Sequence, residues 1–279
     1  MTRLDRFADL VVRSQFSVAE ACLLIAEDAY PSLDSAAYLR RLEEIAATVE
    51  SRLPADAFLG QKIAALNAHM FGELGFHGNE SNYYDPCNSY LNDVIDRRTG
   101  LPITLSVIYI DVGRRIGLPL QGVPFPGHFL VKLRLREGQL ILDPFRKGAP
   151  QTDIELRKRL ANSVPGFDAR SPVAADISPY LESASPNEIV LRVLRNLKAV
   201  HLRMGKLNEA LAVMNRILLV APEAPEELRD RGLVFEQLDC FRPAAADLQN
   251  YLRRRPNSVD AGEMRAKLVA LLNAASRLN

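Results

Sequence analysis

Two side chains in the middle of the chain have the types and spacing to do chemistry together. His128 follows Pro126-Gly127 and begins the alternating apolar run His-Phe-Leu-Val-Lys-Leu-Arg-Leu, while Asp143 follows the apolar residues 140–142 and precedes Pro144-Phe145. On adjacent antiparallel strands the two can meet. A carboxylate beside an imidazole holds its tautomer and raises its basicity, as in Cys-His-Asp and Ser-His-Asp hydrolases. Such a pair needs a nucleophile, and these sites place it at the start of a buried helix, where the dipole favours an anion. A helix expected from Pro102 stands in the right place in the chain. Proline suits a first helical turn, where its missing N–H is not needed.

The elements that must position this pair follow from periodicity and punctuation. Residues 1–75 read as helices, with Leu4, Phe7, Leu10 and Val11 at helical spacing and a capping box at Ser17–Glu20. Pro31 stops the second helix, Asp34 or Ser35 caps the third, and a fourth is expected from Pro54 to about Leu74, ended by Gly75. Residues 76–88 have the composition of a loop. A short helix from Asn88 or Ser89 is expected to close at Gly100. The helix from Pro102 to Ile116 is apolar on more than one face and so expected to be largely buried. Beyond Pro119 the period changes to that of strands, with a hairpin turn at 136–139. Thr152–Glu155 is a second capping box, opening a helix to about Ala161. Residues 162–186 read as a linker or irregular crossing. From 187 onwards helices return with an internal period of 34 residues: Gly205, Ala210, Met214, Ile217 and Pro222 correspond to Asp239, Ala244, Leu248, Tyr251 and Pro256. That is the spacing of tetratricopeptide repeats, and 258–274 would be a capping helix.

The totals exclude several classes. The formal net charge is +1 and charged residues make up 25% of the chain, without the basic excess of a nucleic-acid or membrane-surface binder. The three cysteines, Cys22, Cys87 and Cys240, form neither a disulfide framework nor a metal-ligand spacing. No apolar run approaches the length of a membrane span, and the first residues do not read as a secretory signal. We expect a cytoplasmic protein with no metal and no cofactor.

The stretch from Arg114 to Pro119 (Arg-Arg-Ile-Gly-Leu-Pro), followed by His128 and Asp143, resembles the transglutaminase-like fold. That fold is a papain-related α+β core in which a Cys opens a helix and a His and an Asp follow on successive strands. More narrowly, the run from Phe76 to Ser106 and the Pro126–Lys132 segment, followed by tetratricopeptide repeats, resemble a bacterial SirB-type family. Its members are transglutaminase-like proteins associated by name with regulation of sirC expression. The resemblance implies an α+β chain with a helical part at 1–75 packed on a core at 76–161 with a small antiparallel sheet, a crossing at 162–186, and two repeats plus a cap at 187–279. In the register of that fold the nucleophile position falls on Pro102, which cannot attack anything. A shift of two residues puts Thr104 there; Ser106 lies one turn deeper than Pro102. Hydroxyls are poor nucleophiles unless a base is bonded to them. Cys87, in the loop, is the thiol near this region.

Two readings stay open at this point. In the first, the core has lost its nucleophile and serves as a binding or regulatory domain, with a tetratricopeptide tail for a protein or peptide partner. In the second, the chain is an amide- or acyl-processing hydrolase or transferase, with His128 as base, Asp143 as its orienter and Thr104, Ser106 or Cys87 as nucleophile. His128 and Asp143 could equally orient two strands by one buried hydrogen bond. Asn79, Tyr83, Tyr84 and Asn88 form a polar-aromatic loop that could contact a ligand or cap its own turns. Arg192, Arg195 and Arg203 fall at first-helix positions that line a groove in such repeats.

Overall fold

The structure is a computed structural model and describes residues 2–168 and 176–277. The expected crossing at 162–186 therefore lies partly outside the described residues. The chain divides into two compact units, residues 9–193 and residues 2–8 with 194–279.

Helices α1 (Arg3–Val11), α2 (Val18–Ala26), α3 (Ser35–Glu50) and α4 (Leu59–Asn67) open the chain. Ser17 Oγ accepts the Glu20 amide at 3.2 Å, and Asp34 caps α3 through the Ala37 amide at 3.0 Å. α4 starts at Leu59 and not at Pro54. Residues 54–57 form a separate turn closed by the Ala57 amide on the Pro54 carbonyl, and Gln61 Oε1 takes the Phe58 amide. α4 then widens into a π-helical segment, Ala68–Glu73, in which the Leu74 amide reaches the His69 carbonyl at 2.9 Å. Gly75, at φ +74°, ends it.

Strand β1 (His77–Gly78) pairs in parallel with β2 (Thr99–Gly100), and α5 (Leu91–Arg97) lies between them in the chain. α5 ends at Arg98, which takes the left-handed conformation at φ 57°, and not at Gly100. α6 (Pro102–Arg115) is buried around nearly its whole circumference, from Pro102 through Ile110 without a break. It packs against α3, β3 (Leu120–Val123) and β4 (Leu130–Arg134). β3, β4, β5 (Gln139–Asp143) and β6 (Ala149–Pro150) form an antiparallel four-stranded sheet in sequence order, with Val131 opposite Leu142 and Asp143 opposite Ala149. α7 (Asp153–Ser163) follows, opened by a reciprocal capping box in which Thr152 and Glu155 take each other's amides. Its Leu156 and Leu160 pack with Val123, Phe125, Leu130 and Ile141 from the strand side. Lys132, buried in the sheet, donates to the Leu181 carbonyl and so ties the 178–181 turn down.

α8 (Pro186–Arg203), α9 (Leu207–Val220), α10 (Pro225–Gln237), α11 (Phe241–Arg254) and α12 (Ala261–Arg277) complete the chain. In the second unit Ala210 and Ala244, 34 residues apart, are fully buried, as the close approach of paired helices requires. A Cβ on Gly232 would come within 3.0 Å of Leu248. Gly205 and Asp239 turn the chain between helices at φ 69° and 55°, so an aspartate does the work of a glycine in the later repeat. Phe7 belongs to this unit: it is fully buried with the Arg216 guanidinium 4.7 Å over its ring. The repeat pair is also clamped by a bidentate ion pair, Arg231 Nε and Nη2 on Asp247 at 2.7 and 2.8 Å, with Nη1 on Asn215.

Breaking a buried pair strands a charge in a poor solvent. Asp247→Ala is expected to cost about 3 kcal/mol, the low end for such losses, read as a lower denaturant midpoint of the full chain. A change below about 0.5 kcal/mol, the level of ordinary surface substitutions, would show that the clamp carries no weight.

Candidate functional site

α6 begins as its sequence directs. Pro102 occupies the first turn, and Leu101, in an extended conformation, precedes it. Thr104 Oγ1 accepts the Leu101 amide at 3.0 Å and donates to the Asn88 carbonyl at 2.8 Å. The Leu101 amide also points at that carbonyl, at 3.4 Å. The start of α6 is thus stitched to the 79–88 loop, and the Thr104 hydroxyl is the stitch. One turn on from Pro102, Ser106 Oγ is buried with no hydrogen-bond partner among the described residues. Neither hydroxyl is bonded to His128.

His128 sits in the turn two residues before β4 and not on the strand itself, its amide held by the Phe125 carbonyl at 2.9 Å. Asp143 is the last residue of β5 and fully buried. The two meet: His128 Nε2 is 2.9 Å from Asp143 Oδ1. That oxygen also accepts the Phe145 amide at 3.1 Å, and Oδ2 accepts Arg159 Nη2 at 2.8 Å. The carboxylate therefore has three partners, which removes the cost of burying it. His128 Nδ1 has no partner among the described residues. Phe145 covers this pair, edge-on to the imidazole at 5.9 Å between centroids, and is itself pressed on Gly78, where a Cβ would fall 2.3 Å from the ring.

Arg159 is the member of the cluster that sequence reasoning missed. Its signal was a cation beside Leu156 and Leu160 on the buried face of an amphipathic helix following the Asp143 strand. Such a charge needs an acidic partner inside.

The loop residues divide. Asn79 and Asn88 are buried and bond to each other, Nδ2 to Oδ1 at 3.0 Å; Asn88 also donates to the Asn82 and Tyr83 carbonyls, and Asn79 accepts the Asn82 amide. Their amides hold the loop. Tyr83 and Tyr84 are exposed and meet edge to face at 5.5 Å between centroids. Cys87 is partly buried beside Asp93 and Asp85, and burial first, then Asp93 and Asp85, pushes its thiol up to about 11. Such a thiol carries almost no thiolate at neutral pH.

Of the three arginines at groove positions, Arg192 is half-buried, with its charge felt by the Tyr83 phenol. In the second unit Arg195 Nε is bound by Glu227 at 2.9 Å, and Lys198 by Glu227 and Asp230. Arg203 is exposed at the end of α8. The basic character expected at Arg195 is thus balanced by acids of α10. Among the described residues no group of three or more His, Cys, Asp or Glu could hold a metal, and no helix is long and apolar enough to cross a membrane.

Two predictions follow from these partners. Thr104→Val should cost about 1–3 kcal/mol by removing both the donor to the Asn88 carbonyl and the near acceptor of the Leu101 amide, whereas Ser106→Ala should leave stability unchanged or raise it by about 1 kcal/mol. Equal losses in urea denaturation would contradict the assignment of both hydroxyls. In alkylation at pH 7.5, exposed Cys240 should react first, while buried Cys22, pushed up to about 12, and Cys87 react slowly and gain rate only as pH approaches 11. Fast labelling of Cys87 at neutral pH would revive it as a nucleophile.

A family model described as "Transglutaminase-like superfamily" matches residues 36–195, and one described as "Tetratricopeptide repeat" matches residues 197–268. A UPF0162 protein of Xylella fastidiosa is 41% identical over 90% of this chain and 88% of its own. A UPF0162 protein of Vibrio cholerae is 31% identical over 72% of this chain and 73% of its own. Protein SirB1 of Salmonella typhimurium is 29% identical over 82% of both chains. The chain therefore belongs to the transglutaminase-like superfamily and, within it, to the SirB-type family of UPF0162 proteins that carry tetratricopeptide repeats.

Proposed function

We propose that this protein is a non-enzymatic regulatory protein, whose transglutaminase-like unit is a binding frame and whose tetratricopeptide unit contacts a protein partner. The observation that carries the first half is the missing link between base and nucleophile. His128 is oriented by Asp143, but the helix that should present a nucleophile starts with Pro102, Thr104 Oγ1 is committed to Asn88 and Leu101, and Ser106 Oγ is buried without a base. A hydroxyl with no base bonded to it stays at its ordinary, weak nucleophilicity. The second half rests on the tetratricopeptide match, a class of repeat that generally mediates protein contacts, and on the regulatory association of the SirB name. The partner reading also fits the internal neutralisation of Arg195 and Lys198, which favours a partner recognised by shape and apolar contact over a strongly acidic one.

One observation favours the alternative, an amide- or acyl-processing hydrolase or transferase: among the described residues His128 Nδ1 has no partner while Nε2 is held, the state a general base needs. The test is direct. The full-length protein is incubated with p-nitrophenyl acyl esters, glutamine peptides and a fluorescent primary amine, beside His128→Gln. The proposal expects no turnover above background in either. Turnover in the native chain that His128→Gln abolishes would replace it with the enzymatic reading.

A further inference from the structure

A second histidine–carboxylate pair stands apart from His128 and borders a cavity of its own. The cavity, about 230 Å³, lies in the first unit between α3, the π-helical segment with residues 74–76 after it, and the C-terminal end of α5. His69 is the buried titratable group in its lining, with a side chain 8% exposed. His69 Nδ1 is 2.9 Å from Glu73 Oε2, and the other Glu73 oxygen is bound by Arg52. Arg52 first and His69 second hold Glu73 below the ordinary carboxylate range, so Glu73 is charged and His69 Nδ1 is the donor. Nε2 has no partner among the described residues.

Two arginines share the lining. Arg98 is held in the left-handed conformation, one Nη on the Leu74 carbonyl at 2.8 Å and its guanidinium 5.4 Å over Phe76. Arg41 is paired with Asp96, which the Tyr38 hydroxyl also binds. The remaining wall is apolar: Ile45, Leu74, Phe76 and Ile95. Glu44 lies on the same lining and Asp96 already balances Arg41, so the repulsion of an anion by Glu44 is what Arg98 and a proton on His69 must outweigh. Two backbone irregularities build this place, a π-helical segment and a non-glycine left-handed residue. Both cost conformational energy and both concentrate at functional sites.

We propose that this cavity binds a small organic acid, an aromatic or branched aliphatic body bearing one carboxylate or phosphate group. The apolar walls take the body, and His69 Nε2 with the Arg98 and Arg41 guanidinium groups takes the head. A cavity of about 150 Å³ holds benzene, so this one has room for a six-membered ring and its acid group. The head group arrives as the anion and accepts a hydrogen bond from Nε2–H, the proton on that nitrogen being taken up from solvent on binding. Glu73 stabilises the resulting imidazolium from the other nitrogen. The role of His69 here is binding, and no bond other than the proton's changes.

The test is titration of the full-length protein with benzoate, phenyl phosphate, inorganic phosphate and benzyl alcohol. Binding is followed in long-range proton–nitrogen spectra of the His69 ring and by shift of the thermal midpoint. Benzoate or phenyl phosphate should move the His69 nitrogens along a saturable curve, and which binds tighter distinguishes a carboxylate from a phosphate head. Benzyl alcohol should fail for want of charge, and inorganic phosphate should bind more weakly for want of a body. His69→Gln should weaken the binding about tenfold or more, the scale of a charge-assisted hydrogen bond. Arg98→Gly keeps the left-handed turn and should do the same. Each variant is checked for an unchanged far-ultraviolet spectrum, and Arg41→Gln serves where one of them fails to fold. Linear, unsaturated shifts at tens of millimolar, equal binding of benzyl alcohol, or unchanged affinity in the folded variants would overturn the proposal.

Discussion

Asp143 has no access to solvent, and three separate parts of the first unit converge on its carboxyl group. A buried charge persists when each oxygen finds a donor. Here the donors arrive from three places in the chain: the imidazole before β4, the guanidinium of α7 and the amide of Phe145 that starts the next turn. The same contacts set where β5 ends, how the 144–146 turn leaves it and which way α7 returns. The pairing of Asp143 with Ala149 then adds the fourth strand. The His128–Asp143 pair thus joins the turn before β4 to the end of β5, whatever else it does.

The second constraint is the burial of α6. A helix hidden around its circumference cannot leave its first amides to water, so its start must be capped from within the protein. Thr104 and the Asn88 carbonyl take the Leu101 amide at that start, and Asn88 is in turn held by Asn79 and by the carbonyls of Asn82 and Tyr83. The density of Asn in this loop thus follows from the need to tie a flexible segment to a buried helix end. Pro102 fits the same requirement. What matters there is a clean helical start, and Pro102 supplies one.

Much of this was legible in the sequence, for reasons that differ by element. The repeats were legible because close-packed helix pairs demand a small residue at a fixed place, so Ala210 and Ala244 recur 34 residues apart. The capping box at Thr152 was legible because its partners are three residues apart, and the strands because they alternate. The ends of α4 and α5 were misjudged because competing local signals exist: Pro54 can open a turn as well as a helix, and an arginine can adopt the left-handed state when its guanidinium is held, as Arg98 is by Leu74 and Phe76. The long-range partners were not legible. Nothing in the chain order joins Arg159 to Asp143, Glu227 to Arg195, or Phe7 to Arg216. Such pairs exist only once the helices have packed, and they decide which charges face outward to a ligand or partner.

The central claim is that His128 activates no hydroxyl of α6. The most direct measurement is the pair of ring-nitrogen shifts of His128 in the native protein, Thr104→Val and Ser106→Ala. The account predicts that Nδ1 keeps its shift in both variants, while Nε2, bonded to Asp143, moves when Arg159→Gln loosens that carboxylate. Movement of Nδ1 on loss of either hydroxyl would mean that a base and a nucleophile are joined after all, and would contradict the account.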